Sequence, residues 1–234
     1  MRETEATRDG TVKIGGASLL RSEAFSAAEK YLSGHGGYAY PAYDAYDSGS
    51  NPDRVSDADF LAPVLLNVTP SITAYYSLQG LRTQLNEWLA EVPTDANLES
   101  ATDAELEHLG ALFAILDSNP KGVGGTTLAK IMHRKRPSFV PLYDRFVWQT
   151  YVAAPSASVA RDTKRTWSDF IRLLAHEMQG DLRREGEWLD SIAATASGPP
   201  ITRLRVLDIV AWEAGKKLAA ANPASDGLPL EEDA

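Results

Sequence analysis

Residues 119–147 have the sequence NPKGVGGTTLAKIMHRKRPSFVPLYDRFV, and this stretch decides the fold that we predict. Three glycines, Gly122, Gly124 and Gly125, stand between two segments whose apolar residues recur at helical spacing. Glycine lets the backbone take positive φ and approach a partner closely. The pattern therefore predicts two helices joined by a tight turn.

The second of these helices is predicted to run from Thr126 to Lys135, and Pro137 ends it. The first backbone N–H groups of a helix have no partner within the helix, so they can bind a phosphate. Lys121, the three glycines and Thr126 thus form a candidate phosphate site. Two interpretations stay open, since the pattern is typical of a helix-hairpin-helix element and also of a plain turn between helices.

Charge is unevenly distributed along the chain. The net charge is −9, which argues against a protein that coats nucleic acid. Residues 1–120 carry 7 Lys/Arg and 18 Asp/Glu, whereas residues 121–147 carry 6 Lys/Arg and one acid. A short positive segment on an acidic body is typical of a local anion site. A solvated helix end has the same composition.

Several basic side chains of this segment are candidates for contact with a nucleic-acid backbone. Such contacts supply affinity without sequence information. Three of the cations are adjacent at the C-terminal end of the predicted helix, where positive charge also stabilises the helix dipole without any ligand. The candidates are Lys121, Lys130, Arg134, Lys135 and Arg136.

Elsewhere the chain shows helical periodicity and no convincing strand pattern. We predict an all-α fold, with a single globular multi-helix domain at residues 17–221 and a helix-hairpin-helix-like core at about residues 102–152. Ser56 and a capping box of Thr102 with Glu105 are expected to begin two helices. The final helices are predicted at residues 162–184, 188–196 and 202–221. Residues 1–16 are expected to be a flexible tail, and residues 222–234 a disordered acidic tail.

The composition excludes several kinds of site. The chain has no cysteine, so disulfides, thiol nucleophiles and cysteine-ligated metal centres are excluded. The 4 histidines are scattered, and the motifs of zinc proteases, P-loops and serine hydrolases are absent, so we predict no metal and no cofactor. No apolar run reaches the ~18 residues of a membrane span, so we expect no membrane partner and a cytoplasmic location.

A second motif follows the glycine turn. An extended stretch leads to Asp144 at a predicted helix start, 20 positions after Gly124, and Val147 follows three residues later. With this motif the chain resembles the helix-hairpin-helix DNA glycosylases over roughly residues 112–151. The matching positions are Gly122, Val123, Gly124, Thr127, Asp144 and Val147.

This resemblance implies a DNA-binding protein in which Asp144 stabilises positive charge on the sugar as a base departs, or positions a nucleophile. The bifunctional members of that family carry a lysine near the place of Thr126. The resemblance therefore implies, if the chain is an enzyme, a monofunctional N-glycosylase-like hydrolase without lyase activity. Tyr143, Phe146 and Trp148 depart from the family's pattern. Asp144 also has a structural alternative, in which it caps its helix or pairs with a nearby arginine.

A second resemblance covers most of the chain. The runs Leu61–Asn67, Leu128–Pro137 and Pro141–Asp144 are similar to a bacterial domain family of unknown function, which implies no activity. Two further hypotheses stay open. The acidic body favours a non-catalytic helical interaction or regulatory protein. A tyrosine- and aspartate-rich loop at residues 38–53, set against the basic segment, favours a small-molecule enzyme.

Overall fold

A computed structural model describes residues 10–49 and 51–221 of the chain. Residues 1–9 of the predicted N-terminal tail and the whole predicted C-terminal tail, residues 222–234, lie outside this part. The described part is mostly helical, as predicted. Its eight α-helices are α1 (Arg21–Leu32), α2 (Asp57–Leu61), α3 (Ile72–Glu91), α4 (Asp103–Ala114), α5 (Gly125–His133), α6 (Arg145–Trp148), α7 (Trp167–Ala193) and α8 (Arg203–Ala221). Short 3₁₀ turns cover Ala62–Leu66, Leu98–Ser100 and Ile115–Ser118, and a π-helical turn covers Gln149–Ala153.

An antiparallel hairpin of β1 (Thr11–Ile14) and β2 (Ala17–Leu20) precedes α1. It corrects the prediction of a flexible segment through residue 16. Val12 and Ile14 are buried, since alternate residues of a strand point to the same side. Asp181 of α7 anchors the turn, because its Oδ2 accepts the Gly15 N–H at 2.8 Å from 166 positions away. Four-residue strands are too short to give a clear alternating signal in the sequence.

Helix starts follow the predicted caps. Ser56 and Thr102 each accept a hydrogen bond from the third residue of their helices, and the side chains of Asp59 and Glu105 complete two capping boxes. None of the described helices is long and apolar enough to cross a membrane.

The two helices predicted at residues 162–184 and 188–196 are one continuous helix, α7, which Thr166 caps. Gly186 lies in the expected gap but remains helical. A single glycine costs only about 1 kcal/mol in a helix. Burial of the large apolar side chains of Trp188 and Leu189 gains more than this.

The core lies where α7 and α8 meet. α7 packs along α4, and α8 packs against α1, α6 and α7. One close approach sets the position of α6. A Cβ added to Gly215 of α8 would stand 2.0 Å from the backbone oxygen of Phe146, so only glycine permits this contact. As a result, the start of α6 lies directly against α8.

Candidate active site

A cavity of about 340 Å³ lies between α5, α8 and the chain segment that leads into α6. α1, the loop after it and the turn at residues 66–68 complete its walls. Gly37, Asn67 and Arg145 are exposed and stand at its edge, so the cavity opens to solvent. A volume of a few hundred Å³ is typical of sites for small ligands.

Five aromatic residues line the cavity. Four of them pack against one another, and we call these the aromatic box: Tyr31, Tyr38, Phe146 and Trp212. The ring centroids of Tyr31 and Tyr38 lie 5.0 Å apart. Trp212 meets Phe146 edge-on at 5.5 Å and Tyr31 at 6.1 Å. Because each ring packs against another, the box has a defined shape with flat faces. Such faces suit a planar ligand.

Asp144 lines the cavity and caps α6. Its Oδ1 accepts hydrogen bonds from the backbone N–H groups of Phe146 at 2.9 Å and Val147 at 3.0 Å. Within the described part of the chain, Oδ2 accepts no hydrogen bond. The predicted capping role is therefore present, and it orients the carboxylate. The second oxygen remains available to a ligand.

A second carboxylate, that of Asp208, lines the same cavity from α8, and it was not among the predicted site residues. Asp208 is buried, with only 6% of its surface exposed. Burial raises the pKa of Asp208 to about 6; the Arg205 guanidinium opposes this rise and the Asp144 carboxylate adds to it. A sequence signal existed, because Arg205 and Asp208 interrupt an otherwise apolar run from Leu204 to Trp212.

Arg205 is buried and connects this wall of the cavity to the tyrosine-rich loop. It donates from Nε to Asp44 Oδ1 at 2.8 Å and from Nη2 to the Tyr31 hydroxyl at 3.1 Å, and Nη1 donates to Asp208 Oδ2. Burial also raises the pKa of the Tyr31 hydroxyl, which therefore stays protonated at neutral pH. The guanidinium thus holds the side-chain oxygens of Asp44, Tyr31 and Asp208 in fixed positions around it.

Two predicted phosphate-site residues, Thr126 and Lys130, line the cavity from the same face of α5. Lys130 is buried, and its Nζ donates to the backbone oxygen of Leu66 at 3.0 Å. The ammonium group also lowers the pKa of Asp208, opposing the effect of burial. In the described ranges, no group of three histidine or acidic side chains is placed to hold a metal ion.

The glycine turn joins the end of α4 to α5 and packs on α3. Gly122 has a φ of +71°, and a Cβ added there would stand 3.1 Å from the Ala74 side chain. A Cβ on Gly125 would stand 2.3 Å from the Trp167 ring. Gly124 is the N-cap of α5 and is half-buried, whereas Lys121 and Gly122 are exposed. Backbone conformation and packing thus explain two of the three glycines without a ligand.

The last cations of the basic segment are directed into the protein. Arg136 is 1% exposed and donates to the backbone oxygens of Leu89 and Val92, both at 2.7 Å, and to Asp53 Oδ1 at 2.8 Å. The Lys135 ammonium lies 2.9 Å from the buried carboxylate of Asp59. Buried, ion-paired cations present no surface to a phosphate. The interpretation of these two residues as nucleic-acid contacts is therefore replaced by a structural role.

Arg134 is half-buried beside them. It donates to the backbone oxygen of Tyr43, and its guanidinium lies over the rings of Tyr43 and Tyr46 at 5.5 and 5.0 Å. Cation–π contacts of this kind stabilise a loop against the body of a protein. The RKR sequence of residues 134–136 thus holds the loop of residues 38–53 and α2 in place.

All the residues that line the cavity lie between Tyr31 and Trp212. A known family covers residues 24–215, which include every one of them and exclude the β-hairpin. The chain belongs to DUF6308, a family of unknown function. This match confirms the predicted similarity to a domain family of unknown function. No curated protein and no solved structure matches the chain.

Proposed function

We propose that this protein binds DNA beside the glycine turn and places one base with its sugar in the cavity, where Asp144 promotes cleavage of the N-glycosidic bond. The position of Asp144 carries the proposal. One oxygen of its carboxylate is fixed by the N-terminus of α6, and the residue lines an aromatic cavity of about 340 Å³. A cavity of this size accommodates a single nucleoside and not a duplex.

The proposed chemistry requires a base outside its helical stack. Enzymes that act on a base turn it out of the duplex, at a cost of a few kcal/mol, and hold it between aromatic or apolar side chains. The aromatic box supplies such faces. The bond between the sugar C1′ and the base nitrogen then breaks, and its electron pair leaves with the base. Asp144 stabilises the positive charge on the sugar until water adds to C1′, and the proton that this water loses passes to the departed base.

The surface around the cavity limits how the DNA is held. Lys121 on the glycine turn and Arg145 at the cavity edge are exposed cations. With Arg136 and Lys135 buried, few phosphate contacts remain available. Each neutralised phosphate contributes about −0.9 to the slope of log K against log salt on duplex DNA. We therefore expect a shallow slope.

The test combines binding and base release. The protein is titrated by fluorescence anisotropy with duplexes that carry a damaged or mismatched base, at ~50 mM salt, where phosphate contacts are strongest. Released base is measured by chromatography. We expect Asp144→Asn to retain binding and to lose at least about 100-fold in the rate of release. Asp162→Asn is the matched control, because Asp162 is exposed and does not line the cavity. Absence of binding by the wild-type protein contradicts the proposal.

The burial of Lys135 and Arg136 favours a second candidate function, in which the cavity takes a free nucleoside or nucleotide and Asp144 acts on that small molecule. This function needs no extended cationic surface. The same chromatographic assay with free nucleosides separates the two candidates. Turnover of nucleosides without DNA binding supports the second, and release of base from DNA alone supports the first.

A further inference from the structure

We propose that Tyr31, Arg205 and Asp208 form a recognition wall that selects a flat heterocycle carrying an amino group beside a ring nitrogen, as in adenine or cytosine. The inference rests on the proposed function only in that the cavity takes a nucleobase. It assigns the chemical class of that base. Tyr31 and Asp208 are 5% and 6% exposed, and all three residues line the cavity.

Arg205 determines which hydrogen-bonding groups remain available on this wall. A guanidinium can only donate, so the Tyr31 oxygen and Asp208 Oδ2 are both acceptors toward it. The hydroxyl hydrogen of Tyr31 is consequently not used by Arg205, and no acceptor for it is found in the described ranges. Asp208 Oδ1 likewise accepts no hydrogen bond there. The wall therefore has one unused donor and one unused acceptor.

These two groups are held rigidly. Asp44 accepts from Arg205 Nε at 2.8 Å and from Nη2 at 3.3 Å, on the side of the guanidinium away from Asp208. The Arg205 guanidinium also lies over the rings of Tyr31 and Tyr43, at 5.5 and 5.6 Å from their centroids. The guanidinium cannot turn without breaking several of these contacts. A wall fixed in this way discriminates between ligands, because it does not rearrange to accept the wrong one.

An amino group beside a ring nitrogen complements this wall. The amino group donates to Asp208 Oδ1, and the ring nitrogen accepts from the Tyr31 hydroxyl. In the oxo analogue, a carbonyl oxygen faces the carboxylate and a ring N–H faces the hydroxyl, so both pairings are lost. Sites built to hydrogen-bond one polar group reject the analogue that lacks it strongly. We expect a preference of at least about tenfold.

The preference depends on the charge of Asp208. Asp144, Arg205 and Lys130 are the charged groups that act on it, and Asp44 lies behind Arg205. Protonation of Asp208 below pH 6 adds a donor at Oδ1 or Oδ2 and weakens the distinction between amino and oxo ligands. The preference should therefore be full at pH 8 and reduced at pH 5.

The experiment uses two pairs of nucleosides that differ only by this exchange: adenosine with inosine, and cytidine with uridine. Affinities for the full chain are measured by isothermal titration at pH 8. We expect tighter binding of the amino member of at least one pair. Asp208→Asn keeps an oxygen for Arg205 and turns an amide N–H₂ toward the ligand, so the preference should reverse. Glu213→Gln on the same helix is the control, since Glu213 does not line the cavity, and it should change nothing.

Tyr31→Phe provides a second test should Asp208→Asn not fold. It keeps the ring and removes the donor, so it should weaken the amino ligand about tenfold and leave the oxo ligand unchanged. Equal affinity within both pairs, or no nucleoside binding at millimolar concentration, overturns the inference. The predicted preference without any binding or cleavage of DNA supports the recognition wall and contradicts the DNA function, so the two failures are distinguishable.

Discussion

Gly215 and Phe146 are in direct contact: a Cβ on the glycine would stand 2.0 Å from the backbone oxygen of Phe146. Asp144 lies two residues before Phe146, and Asp208 lies on the same helix as Gly215, about two turns earlier. The approach of α6 to α8 therefore places the two carboxylates of the cavity close enough for Asp144 to affect the pKa of Asp208. A glycine, and not a polar residue, sets this arrangement.

Gly215→Ala is expected to lower the free energy of unfolding by more than about 2 kcal/mol, because a methyl group has no space against a backbone carbonyl. This loss should occur although alanine favours helix by about 1 kcal/mol. Urea denaturation measures it. Gly180→Ala in α7 is the matched control, since nothing lies within 4 Å of an added Cβ there, and it should be neutral or stabilising. Similar effects of both substitutions would show that the contact between α6 and α8 is not tight.

Arg136→Met should destabilise the protein by at least about 3 kcal/mol, because buried backbone oxygens lose their donor. The buried oxygens belong to Leu89 and Val92, and the exposed Pro52 also loses a donor. Thermal and urea unfolding provide the measurement. Lys121→Ala is the comparison, because it removes an exposed cation and should leave stability nearly unchanged. An Arg136→Met protein of normal stability and reduced DNA affinity would restore the role of phosphate contact.

The stability contributed by Asp208 should depend on pH. The pKa of Asp208 rises from 3.8 in the unfolded chain to about 6 in the folded one, so the native state retains a proton that the unfolded state loses. The contribution is full below pH 4 and is lost as the pH rises through 6, by up to about 3 kcal/mol. The free energy of unfolding of the wild type minus that of Asp208→Asn, measured from pH 4 to 8, should fall and then level off. A difference that is constant over this range would show that the pKa of Asp208 is not raised.

Asp181→Ala should release the β-hairpin. Its carboxylate accepts hydrogen bonds from the Gly15 N–H and the Tyr151 hydroxyl, both at 2.8 Å. We expect faster amide hydrogen exchange over residues 11–20, with little change in the middle of α8. Glu187→Ala on α7 is the control, because Glu187 is exposed. Unchanged exchange in the hairpin would mean that packing of Val12 and Ile14 suffices to hold it.

The sequence by itself determined the features that depend on neighbouring residues. The capping boxes that begin α2 and α4 were predictable, since their partners are three positions apart. The role of Asp144 as the cap of a helix was predictable for the same reason. The mostly helical fold followed from periodicity, which is also a local property.

Only the tertiary structure decided which distant residues lie together around the cavity and the basic segment. Arg205 reaches Asp44 across 161 positions of the chain, and Arg136 reaches Asp53 across 83. An apolar run around a charged residue can indicate burial, as for Arg205 and Asp208, but it does not identify the buried partner, because that depends on how distant elements pack. The basic segment was therefore visible as charge, but the assignment of its cations to loop anchoring, and of Asp208 to the cavity, required the folded chain.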